Sequence, residues 1–282
     1  MLKNQRIFIA ILSLVVLSSC SEYQEVLNKG TAEQQYQAAT KLFEEEKYSK
    51  AIALFEKVIP SYGRKPQMER IQYMVAMSYY KTKSYELAAY YFNRFITNYP
   101  NSSKIEEAAF LTAHSYYLDT PKYSRDQKET QTALQSLQNF IDKYPDSDKI
   151  EETNAYFKDL TYRLEKKSFE VAKQYYHIED YKAAIVSFDN FVIEHVGSPL
   201  KEEALYLRFK ATHDLAVNSV LSKKEERLKN AIDSHAKYFK NFPESEKKKE
   251  LDRMLSNLNK ELEQTKALVQ KLKENTVTSN GL

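Results

Sequence analysis

The chain has 282 residues, 42% hydrophobic and 29% charged, with 4 Gly, 7 Pro and no Trp. So few glycines leave no Gly-rich phosphate loop and argue against a β-rich or loop-rich fold, so a helical protein packed by its 22 Tyr and 14 Phe is expected. A formal charge of +3 gives no electrostatic case for nucleic acid as a partner.

At the N-terminus, Lys3 and Arg6 precede an apolar run from Ile7 to Leu17, broken only by Ser13 and too short for a stop-transfer helix. The run ends in Leu17-Ser18-Ser19-Cys20, which resembles the bacterial lipobox. The resemblance implies a signal peptide over residues 1–19, with Cys20 becoming the first mature residue and carrying lipid on its sulfur and amine. Several acyl chains anchor a protein stably where one holds it only marginally. Ser21 follows in place of the Asp linked to inner-membrane retention, so the implied address is the inner leaflet of the outer membrane, on the periplasmic face. Residues 20–30 read as a lipidated tether. Cys20 is the only cysteine, which excludes an intramolecular disulfide and a Cys-based metal site. Without Lys3 and Arg6 the 42 basic residues become 40 against 39 acidic ones, a charge of +1.

From residue 31 onward the chain repeats itself. Tyr48-x-x-Ala51-Ile52-x-x-Phe55, Tyr85-x-x-Ala88-Ala89-x-x-Phe92 and Tyr181-x-x-Ala184-Ile185-x-x-Phe188 share one amphipathic helical signature. Ala133-x-x-x-Leu137-x-x-Phe140 is a variant, and Ala231 to Phe239 a degenerate copy. Ala39, Ala76 and Ala172 lie twelve residues before the Ala of the following helix, a spacing that resembles the tetratricopeptide (TPR) helix pair. Ala113 and Ala133 are 20 apart, so residues around Leu118 to Arg125 read as an inter-helix loop. "NYPNSSKIEE" from Asn98 and "KYPDSDKIEE" from Lys143 are joints that stop one helix at Pro and start the next. Ser103 with Glu106, and Asp148 with Glu151, are the expected capping boxes, and Pro199 suits a first helical position. Leu251 to Leu272 carries one apolar seam and reads as a capping helix, followed by a disordered tail over 276–282. The expected fold is all-α: a TPR-type helical-hairpin solenoid of about five repeats over residues 31–275.

The catalytic inventory is thin. His114, His177, His195, His213 and His235 form no metal-ligand pair at i, i+4, and the abundant Ser and Asp are explained by turns and caps. The expectation is a non-enzyme without cofactor or metal. In a TPR stack the first helix of each pair lines the groove. Counting from Ala39, Ala76 and Ala113, the inward side chains are Tyr36, Thr40 and Phe43, then Tyr73, Met77 and Tyr80, then Phe110, His114 and Tyr117. An aromatic row of this kind suits extended apolar or aromatic peptides, and equally suits packing on the next repeat.

Residues Arg163 to Phe188 ("RLEKKSFEVAKQYYHIEDYKAAIVSF") and Asp126 to Ser147 ("DQKETQTALQSLQNFIDKYPDS") resemble the BamD family, the TPR lipoproteins of the outer-membrane β-barrel assembly machinery. The resemblance implies that the N-terminal repeats receive the aromatic-ended C-terminal signal of unfolded outer-membrane β-barrel proteins. It also implies that the C-terminal repeats dock on the last POTRA domain of BamA. Ser187 stands where the family often has the basic residue used for that docking, so this contact is not implied. Two rivals share some features. A periplasmic TPR lipoprotein serving peptidoglycan or cell-division machinery would have a coiled coil before its repeats and would lack the Asp-Gln insert. A helical peptidoglycan lyase would need a catalytic domain for which the chain has no room.

Overall fold

Short Ala side chains let helix axes approach closely, and in this chain they fall where helices cross. The computed structural model describes residues 22–63 and 65–279, with side chains to 275, and no strand occurs among them. The helices are α1 (22–29), α2 (Ala32–Glu44), α3 (Tyr48–Tyr62), α4 (Gln67–Lys81), α5 (Tyr85–Asn98), α6 (Ile105–Asp119), α7 (Lys128–Lys143), α8 (Ile150–His177), α9 (Tyr181–Glu194), α10 (Lys201–Val217), α11 (Leu221–Asn241) and α12 (Lys248–Ser279). Neighbouring helices pack in pairs, as the TPR spacing predicts. Ala39 and Ala51, Ala76 and Ala88, Ala113 and Ala133, and Ala172 and Ala184 are all fully buried.

The twelve-residue spacing comes from a recurring turn. Glu46, Lys83 and Glu179 have φ of 59°, 62° and 61°, left-handed values that close the first helix of a pair. The next residue in each case, Lys47, Ser84 or Asp180, donates its N–H back to Leu42, Tyr79 or Tyr175 at 2.8–3.0 Å. Each turn thus satisfies carbonyls that a helix end otherwise leaves unpaired.

The joints between pairs are equally regular. Tyr99, Tyr144, His195 and Phe242 each accept a turn hydrogen bond from the serine three residues on: Ser102, Ser147, Ser198 or Ser245. Each serine Oγ then accepts the N–H two residues later, at 3.1–3.2 Å. This corrects the expected capping boxes. α6 and α8 begin at Ile105 and Ile150, α6 with Lys104 at its N-cap and no side-chain cap, and the serines that accept an N–H here, Ser102 and Ser147, do so within the preceding turn. Pro199 likewise lies in the turn, two residues before α10.

The long connection before α7 is ordered by one buried side chain. Gln127 Nε2 donates to the carbonyls of Lys122, Arg125 and Asp126, and its Oε1 accepts from Thr130. Asp126 Oδ1 accepts the Lys128 N–H at 2.9 Å. The Asp-Gln pair therefore closes this loop.

Two compact units divide within α8, at Leu160 and Thr161. The first holds two cores. Ala39, Leu54, Phe55, Val58 and Ile71 centre one, and Ala88, Phe92, Phe95, Ala113, Leu137 and Leu160 the other. In the second unit, Phe169, Ala172, Phe188 and Phe191 join α8 to α9, while Phe209, Leu228, Tyr238, Leu251 and Leu258 bind α12 onto α10 and α11. The expected capping helix is thus present, its seam buried at Leu251, Leu258, Leu262 and Thr265.

Two expectations at the ends differ. The proposed tether is helical over 22–29, and Tyr23, Val26 and Leu27 pack on the first core. A Cβ at Gly30 would collide with the Val26 carbonyl, so the α1–α2 corner requires glycine. At the other end α12 continues to Ser279, into the expected tail. The lipobox, including Cys20, lies outside the described residues.

Candidate functional site

Successive first helices place one side-chain face of α2, α4 and α6, and the start of α8, in a row through the first unit. The row begins at a cavity of 410 Å³ lined by Phe43 and Glu44 from α2, Glu69, Arg70, Tyr73 and Met74 from α4, Phe95 from α5, and Lys104 and Pro66 from the flanking turns. Tyr73 forms its inner wall, with ring centroids 6.1 Å from Phe92 and 5.6 Å from Phe95, both edge-on. Burial pushes the Tyr73 phenol up, and the neighbouring Glu107 carboxylate adds to the shift. Phe43 meets Tyr48 edge-on at 5.5 Å.

Two cations border this apolar space. Lys104 Nζ lies 2.8 Å from Glu107 and 5.5 Å from the Tyr73 ring centroid. Arg70 reaches Glu44 at 3.6 Å, and both side chains are more than half exposed. Such an exposed pair contributes at most about 1 kcal/mol. Glu44 and Glu69 also line the cavity, so its two cations are balanced by two acids around an apolar interior.

Further along the row lies an aromatic stack. Tyr80 Oη is 2.8 Å from His114 Nδ1. The His114 ring stacks on Tyr156 at 4.8 Å, and Tyr117 stacks on the same Tyr156 at 4.2 Å. Tyr117 donates to Asp159 at 3.1 Å. Burial lowers the His114 pKa, against the pull of the Glu152 carboxylate, so the imidazole is neutral at neutral pH. Burial also raises the Tyr156 phenol, reinforced by its hydrogen bond to Glu152.

The expected groove residues divide accordingly. Phe43 and Tyr73 line the cavity, and Tyr80 and Tyr117 belong to the stack. Tyr36 packs on Tyr62 at 5.2 Å, and Met77 packs half-buried on the core. Phe110 is only 8% exposed, so it supports His114 and Phe140 from beneath rather than facing outward. Arg70, Lys104 and Tyr156 were not anticipated. Tyr156 sits before the Ala172 anchor, and Lys104 lies in a joint, so the helix-pair register pointed to neither.

In the second unit, Tyr238 is fully buried and donates to Glu202, which also accepts from Ser245. Arg208 is bidentate to Asp189 and donates to Ser234. Ser187 is half-buried on α9. Among the described residues there is no His, Cys, Asp and Glu group able to hold a metal ion, and no helix long and apolar enough to cross a membrane.

Individually curated proteins give no match. A family model described as "YfiO: Outer membrane lipoprotein" matches residues 28–184 and again 147–275. The two ranges overlap along α8. Between them they cover both units and all the helix pairs, and the chain belongs to the YfiO family of outer membrane lipoproteins, the BamD family.

Proposed function

We propose that this protein is a lipid-anchored scaffold of the β-barrel assembly machinery, whose first unit receives the aromatic-ended C-terminal segments of unfolded outer-membrane proteins. The 410 Å³ cavity between Phe43 and Tyr73 carries this reading. It is apolar, large enough for an aromatic ring, and bordered by Arg70 and Lys104, which can meet a terminal carboxylate. The aromatic row from Tyr73 to Tyr117 continues the surface for the residues that precede the terminus. Rigid aromatic walls bury area at low entropic cost, so binding needs no reordering of the scaffold.

On this reading Cys20 carries the lipid, and anchoring raises the local concentration of captured chains near the barrel-inserting subunit. The second unit docks on a POTRA domain of BamA. Ser187 supplies no charge on α9, so the docking contact differs from the family's basic one. The scaffold works by binding and needs no cofactor.

Titration of the full-length protein in detergent with a fluorescent peptide ending in Phe tests the first role. Tyr73→Ala and Tyr80→Ala each weaken binding while the far-UV circular dichroism stays that of the parent. Unchanged affinity in both variants refutes it. Co-purification with BamA tests the docking, and its absence removes that part of the account.

A further inference from the structure

The second unit has a groove of different chemistry, on the side where α9 and α11 flank α10. Two cavities, of 230 and 460 Å³, share Arg208 and Lys237 in their linings and so adjoin as a two-pocket channel. Its apolar surface comes from Ile185 and Val192 on α9 and from Leu205 and Leu215 on α10. Val186 and Ile193, 59% and 72% exposed, extend that surface over the outer side of α9. One wall is basic: Arg227, Lys237 and Lys240 all come from α11.

The charges within the channel are unequally matched. Arg208 is neutralised by Asp189, at 2.5 and 3.0 Å, and is further fixed by Ser234 at 2.8 Å. Its side chain is only 13% exposed, so it forms a rigid part of the floor. Arg227 hydrogen-bonds to a neutral partner, the Ser219 hydroxyl. Among the described residues no carboxylate lies within ion-pair distance of Arg227, Lys237 or Lys240. Asp233 is the remaining acid in the lining, one negative charge against three positive ones. The channel therefore presents an excess of positive charge beside recessed apolar pockets.

We infer that this channel is a second polypeptide-binding site, taking an extended partner segment that alternates acidic and bulky apolar side chains. An extended chain points successive side chains to opposite sides, so one set enters the floor pockets and the other meets the α11 wall. Charge complementarity selects the acidic partner and speeds encounter. An anionic bilayer is the weaker fit, because a flat headgroup surface reaches the lysines but not the floor. The site shares no residue with the aromatic cavity of the first unit.

The test is calorimetric titration of the full-length protein in detergent with synthetic peptides. A peptide alternating Asp and Leu binds saturably, and the Lys237→Glu/Lys240→Glu double variant weakens it by about tenfold or more. Arg227→Glu acts in the same direction. Both positions 237 and 240 are exposed, and an unshifted thermal melt shows that the fold survives. Peptides alternating Lys with Leu, or Asp with Ser, bind far more weakly. The inference is overturned if the charge reversals leave the Asp/Leu affinity intact, or if the Lys/Leu or Asp/Ser peptide binds equally well. It is also overturned if the reversals abolish binding to phosphatidylglycerol vesicles but not to the peptide, which would assign the lysines to a membrane surface.

Discussion

Replacing Ser245 with Ala probes the joint that recurs through the chain at its most heavily bonded copy. The Ser245 hydroxyl lies 2.7 Å from Glu202, 2.7 Å from the Tyr238 hydroxyl and 3.2 Å from the Lys247 N–H it caps. A neutral hydrogen bond contributes about 1 kcal/mol net, and one to a charged group about 1.5–3 kcal/mol. Because Tyr238 continues to donate to Glu202 in the variant, the loss is about 2–3 kcal/mol rather than the sum. A unit of the length of 161–282 loses roughly 3–6 °C in Tm per kcal/mol, so thermal melts followed by circular dichroism should fall by roughly 6–18 °C. The effect has a pH signature. The Ser245 and Tyr238 hydroxyls hold the Glu202 carboxyl below its ordinary range. Its contribution is therefore present above the unfolded pKa and disappears as pH falls through the folded one. The gap between parent and variant narrows on acidification. Tyr238→Phe combined with Ser245→Ala departs from the sum of the two single changes, since both hydroxyls donate to Glu202 and touch each other. A Tm drop below about 2 °C, or strict additivity, refutes the reasoning.

Three other predictions follow from single sites. Lys83→Gly relieves a left-handed backbone position and raises Tm by up to the equivalent of about 1 kcal/mol; a fall in Tm contradicts it. Gln127→Ala releases the 120–127 loop, so trypsin cuts faster after Lys122 and Arg125, while an unchanged digestion rate shows that Gln127 does not hold the loop. Burial depresses the His114 pKa, so folded-state stability is intact above the ordinary histidine pKa and falls as pH drops toward the folded value. His114→Gln flattens that decline in Tm between about pH 7 and pH 5, and parallel curves for parent and variant refute it.

The helix pairs were readable because their determinants are short-range. A twelve-residue Ala spacing results when a first helix is closed by a three-residue turn with one left-handed residue, and Ala39, Ala76 and Ala172 carry it. The joints were readable as joints but not to the atom. Ser103 and Glu106 satisfy the capping-box pattern, yet the Tyr99–Ser102 turn delays the helix to Ile105 and leaves Lys104 at the N-cap without a side-chain cap. Residues 20–30 read as a tether. Tyr23, Val26 and Leu27, spaced three and four residues apart, were the overlooked helical signal. The candidate site was partly legible. Counting from the Ala anchors places a side chain on a face, but not at a depth. It brought out Tyr73 and Phe43, yet could not show that Phe110 is buried under His114. Arg70, Lys104 and Tyr156 join the site through tertiary packing across helices, which the repeat period does not encode.

The most direct test of the central claim is photo-crosslinking of the full-length protein to a barrel-signal peptide whose terminal aromatic residue is replaced by p-benzoylphenylalanine. Crosslinks mapped by mass spectrometry should fall on α2, α4 and the joint before α6, around Phe43, Arg70, Tyr73 and Lys104, and should be competed by the unmodified peptide. Crosslinks confined to residues 161–282, or a pattern unaffected by competitor, contradict the account.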